Sequence, residues 1–148
     1  MREVGRMELR ELVERAGWKV LKEEEGTLVF RTEEFKHEVE EADHAGWGRI
    51  CEIGTILSFG PLCVGTDVVN VANCILVPMF RLERHPKDAD MVRLVSWWPR
   101  PGSPDEFREF VEIHERVLVR LGMFIAGKGV PMNADMLARE IFGGPSEN

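Results

Sequence analysis

Glu33-Glu34-Phe35-Lys36-His37-Glu38-Val39-Glu40-Glu41-Ala42-Asp43-His44-Ala45 is the stretch whose reading decides the fold. Its residue types favour a helix, and Phe35, Val39 and Ala42 recur at roughly helical spacing. Phe35, His37, Val39 and Glu41 also alternate, as residues do on a half-buried strand. We read the segment as a continued, irregular strand. So read, it joins a strand-rich stretch on both sides.

Towards the N-terminus, Thr27 to Thr32 and Trp18 to Glu23 form a hairpin around the turn Glu24-Glu25-Gly26. Before it, Val4, Leu9, Leu12, Val13 and Ala16 keep helical spacing, and Gly17 closes that helix as a C-cap. Towards the C-terminus, Gly46-Trp47-Gly48 is a turn and Arg49 to Phe59 a β-rich run, broken by Gly60-Pro61. Thr66 or Asp67 caps an almost wholly apolar second helix over Val68 to Val77, which Pro78 ends. Phe80 to Arg84 and Met91 to Trp98 make another hairpin. Ser103-Pro104-Asp105-Glu106 then carries an N-cap, a Pro at the first helical position and a capping-box Glu. The helix it opens bears one apolar stripe of Phe107, Phe110, Val111, His114, Val117, Leu118, Leu121 and Ile125. Gly127-Lys128-Gly129 ends it, and Asn133 caps a short last helix.

The expected fold is therefore α+β. An antiparallel sheet of about five strands carries packed helices in the order α-β-β-β-α-β-β-α, with a short helical extension over 131–142. At 148 residues the chain suits a single domain that buries roughly 70% of the unfolded chain's surface.

Composition narrows the function classes. A net charge of -7, with no basic cluster interleaved with aromatics, speaks against nucleic acid as a partner. No apolar run approaches the roughly 20 residues of a membrane span. Met1-Arg2-Glu3-Val4-Gly5-Arg6 lacks the apolar core of a signal peptide, so a cytoplasmic location is expected. The chain has no glutamine or tyrosine, and its only asparagines are Asn70, Asn73, Asn133 and Asn148. Depleted amides with abundant charge point to a thermophile.

No motif commits the chain to a reaction, and we expect no catalytic residue and no cofactor. Cys51, Cys63 and Cys74 form no C-x-x-C pair, so a zinc knuckle is not indicated and three free thiols are expected. Cys63 lies in Gly60-Pro61-Leu62-Cys63-Val64-Gly65, before a helix N-terminus that can lower a thiol pKa, but no His is near in sequence. That loop lacks the P-loop pattern. His37, Glu41 and His44 would share a face on a helix and are the best metal candidates. On a strand His44 points away, and a solvated acidic face is the preferred alternative. His114, inside the apolar stripe, reads as a hydrogen-bonded core residue.

Trp97 and Trp98 are more informative, because adjacent strand residues point to opposite faces. Val92, Leu94 and Trp98 are assigned to the helix-backed core. Met91, Arg93, Val95 and Trp97 take the other face. A sheet backed by helices on one side should be polar on the other. Here another part of the chain, a second subunit or a ligand must cover it.

The order of elements resembles the type III secretion chaperone-like fold, including the YbjN-type proteins described as sensory-transduction regulators. The residues that carry the resemblance are Leu9-Arg10-Glu11-Leu12-Val13-Glu14-Arg15-Ala16-Gly17-Trp18, Gly26-Thr27-Leu28-Val29-Phe30-Arg31 and Ser103-Pro104-Asp105-Glu106. The resemblance spans about Met7 to Ile125. It implies a small acidic dimer, not an enzyme, that binds other proteins. The first expectation is thus a protein- or peptide-binding homodimer with Met91, Arg93, Val95 and Trp97 at its interface. The alternatives are a metal-dependent enzyme on His37, Glu41 and His44, or a small-ligand sensor with an apolar pocket near Trp97 or Trp98.

Overall fold

Strand pairing settles the Glu33 to Ala45 segment. In a computed structural model, residues 7–44, 46, 48–58, 79–84 and 91–125 are described. The elements are α1 (Leu9–Arg15), β1 (Lys19–Glu24), β2 (Thr27–Arg31), β3 (Lys36–His44), β4 (Gly48–Ser58), β5 (Phe80–Arg84), β6 (Met91–Pro99) and α2 (Pro104–Ile125). The sheet is antiparallel, in the order β1-β2-β3-β4-β6-β5. The fold is α+β as expected, with six strands where about five were anticipated. The expected helix over Val68 to Val77, the extension over 131–142, Cys63 and Cys74 lie outside the described residues.

The extra strand follows from a turn at Thr32. Its N–H donates to the carbonyl of Phe35 at 2.9 Å, while its hydroxyl accepts the Phe35 N–H at 3.2 Å. The chain reverses there, so β3 is an independent strand paired with both β2 and β4. Two ladders of backbone hydrogen bonds outweigh the modest helical preference of its glutamates.

The described residues fall into two compact units, one within Met1–Thr55 and Trp97–Glu112, the other within Ile56–Ser96 and Ile113–Asn148. β4, β6 and α2 contribute residues to both.

In the first unit, α1 ends in a Schellman motif. Gly17 sits at φ 99°, its N–H bonding the Glu14 carbonyl and the Trp18 N–H the Val13 carbonyl. Arg108 of α2 then grips the Ala16 carbonyl through Nε at 3.1 Å and Nη2 at 2.8 Å. The β1–β2 hairpin closes on Glu25 and Gly26, at φ 52° and 84°, a two-residue turn whose twist suits antiparallel strands. The core holds Leu12, Val13, Leu28, Phe30, Val39, Ile53, Trp98, Phe107 and Val111. Trp18, Phe30 and Phe107 form an aromatic cluster, with ring centroids 5.7–6.0 Å apart.

In the second unit, the register Phe80↔Ser96 and Leu82↔Leu94 puts these buried positions on one face of the β5–β6 hairpin. Ile113, Val117, Leu118 and Leu121 of α2 are buried there too. At its start α2 is capped by Ser103, whose Oγ accepts the Glu106 N–H at 3.1 Å. The Glu106 carboxylate reaches back one residue further than in a standard capping box, to the Gly102 N–H at 3.0 Å.

Candidate functional site: the sheet face around Trp97

The Trp97-Trp98 pair splits across β6 as alternation requires. Trp98 is 4% exposed and stacks on Phe110 of α2, with ring centroids 4.7 Å apart. Trp97 is half-buried on the opposite face, and its indole N–H donates to Glu52 Oε1 at 2.9 Å.

Glu52 of β4 lies directly opposite Glu40 of β3 in the ladder. Like charges in such a pair repel. Each carboxylate is drawn to its own donor, Glu52 to the Trp97 indole and Glu40 to the Thr27 hydroxyl at 3.2 Å. The result, within the first unit, is a partly buried tryptophan held at its polar end by the Glu52 carboxylate. Ala42 lies exposed on the same face, while Ile50 and Gly54 of β4 are buried.

The other residues expected on this side of β6 belong to the second unit. Met91 is half-buried, and Arg93 pairs with Glu83 at 3.5 Å. Val95 is only 1% exposed, so within a single chain it is already closed to solvent.

The metal candidates part company. His37 and Glu41 lie on one side of the β3 alternation, and His44, seven residues from His37, has the opposite parity. Nor does His37 belong to a solvated acidic face: it is fully buried, with Thr55 Oγ1 2.5 Å from its Nδ1. Its ring also lies against Phe30 and Phe35. Glu41 is engaged by two guanidiniums, Arg49 Nε at 2.9 Å and Arg100 Nε at 3.0 Å. Arg100 also donates to the carbonyls of Met7 and Pro101. Glu41 thereby helps tie the chain after β6 to β3 and to the segment before α1. Among the described residues no group of three or more His, Cys, Asp or Glu is gathered to hold a metal ion.

His114 is a buried, hydrogen-bonded core residue. Its Nδ1 lies 2.7 Å from Ser96 Oγ, and its ring stacks on Phe80. A hydroxyl beside an imidazole has the pairing of a nucleophile and its base. Here both residues are fully buried. No substrate carbonyl can approach that oxygen without opening the core. Every buried side-chain nitrogen and oxygen among the described residues has a hydrogen-bond partner.

Glu52 and Ser96 are the residues that sequence reasoning missed. Glu52 has the same parity on β4 as Ile50 and Gly54, so its face was readable. Its position beside Trp97 depends on β4 and β6 being neighbours, which no local pattern encodes. No protein-family model, curated protein or solved structure matches the chain.

Proposed function

We propose that the protein is a non-catalytic module that binds a protein or peptide and acts as a homodimer through the sheet face bearing Trp97. The observation that carries this reading is Trp97 itself. A tryptophan half-exposed on a sheet face, with its indole N–H anchored on Glu52, offers a large apolar surface at little entropic cost. Aromatic anchors of this kind are enriched at protein interfaces and in their energetic centres. Met91 and Arg93, half-buried on β6, are proposed to contribute as well, whereas Val95 is already closed to solvent within the single chain.

The alternative of adding a partner strand at the β1 edge is less well supported. β1 carries Lys19, Lys22, Glu23 and Glu24, and its pairing with β2 is bulged between Val20 and Lys22. Charge and bulges are the devices by which edge strands resist further pairing. The non-catalytic reading draws on the burial of both histidine–hydroxyl pairs, which keeps them from substrate.

Sedimentation velocity at ~10 μM tests the proposal. A dimer of the 16.9 kDa chain is expected, with Trp97→Asp giving a folded monomer or an aggregate. Trp98→Ala should instead remain dimeric and lose stability. A single 16.9 kDa species for the unaltered chain would overturn the homodimer.

A further inference from the structure

We draw no further inference here: the strongest candidate, the exposed apolar pair Val119 and Met123 one turn apart on the outer face of α2, carries nothing because nothing in the structure shows what covers it.

Discussion

Cys51 shows how burial fixes the chemistry a residue can perform. It sits on β4 opposite Glu41, fully buried, as a free thiol. Burial pushes its pKa up to about 12; the Glu41 carboxylate adds to the rise and the Arg100 guanidinium opposes it. At neutral pH the residue is a neutral thiol and a poor nucleophile. Iodoacetamide should therefore leave Cys51 unmodified in the folded protein at pH 8 and alkylate it after denaturation; rapid native alkylation would contradict the burial. The same shift links stability to pH. The folded pKa lies above the unfolded value of about 9, so the contribution is complete below pH 9 and is lost as pH rises towards 12. Urea melts across that window should fall more steeply for the native chain than for Cys51→Ala. His37 illustrates the cost of a lost partner in the same core. Thr55→Val keeps the side-chain shape but removes the hydroxyl beside Nδ1, and should cost about 1–3 kcal/mol in urea unfolding. A loss below about 0.5 kcal/mol would mean that this hydrogen bond is dispensable.

Among the elements, α2 has the most consistent local signals. Its cap, its Pro at the first helical position and its apolar stripe all agree with the observed span Pro104–Ile125. Leu118→Ala should cost about 2–5 kcal/mol, because Leu118 is fully enclosed. Ser103→Ala should cost about 1 kcal/mol through the lost cap. Val119→Ala, on the exposed side of the same turn, should stay within about 0.5 kcal/mol. Equal losses at Leu118 and Val119 in thermal or urea unfolding would mean that the stripe does not face the core. This helix was legible because its signals are local. β3 was only half legible. The alternation of His37, Val39 and Glu41 was visible, but the Thr32 turn that makes β3 a separate strand depends on one hydroxyl and a backbone reversal. For the candidate site, the split of Trp97 from Trp98 followed from alternation alone. The hydrogen bonds on that face did not. Glu52 is 45 residues distant in sequence, and Thr27 reaches Glu40 only because β2 and β3 share a ladder. Pairings between distant strands are set by packing of the whole sheet, which a linear pattern does not record.

For the molecule as a whole, net charge and the proposed interface pull in opposite directions. Each chain carries -7, so two chains repel as they approach. The face proposed for docking compounds this, since it carries Glu52 bonded to Trp97 and Glu40 opposite Glu52, and a two-fold axis would bring the partner's copies of the same acids close by. Apolar burial has to outweigh that repulsion. An obligate interface of this sort buries roughly 2,000 Å² or more. Salt separates the two contributions, because the Debye length shortens from roughly 30 Å at 0.01 M to about 10 Å at 0.1 M ionic strength while apolar burial is little affected. Dimerisation through the Trp97 face should therefore tighten as salt is raised across this range. Replacing the opposed acids, as Glu40→Gln with Glu52→Gln, should weaken the salt dependence and favour the dimer at low salt. The Gln at position 52 still accepts the indole hydrogen bond, so the tryptophan keeps its anchor. Sedimentation equilibrium of both proteins over the salt series provides the measurement. A dimer that instead loosens with added salt is held by opposite charges across its interface, and would exclude the acidic Trp97 face as the surface that joins the two copies.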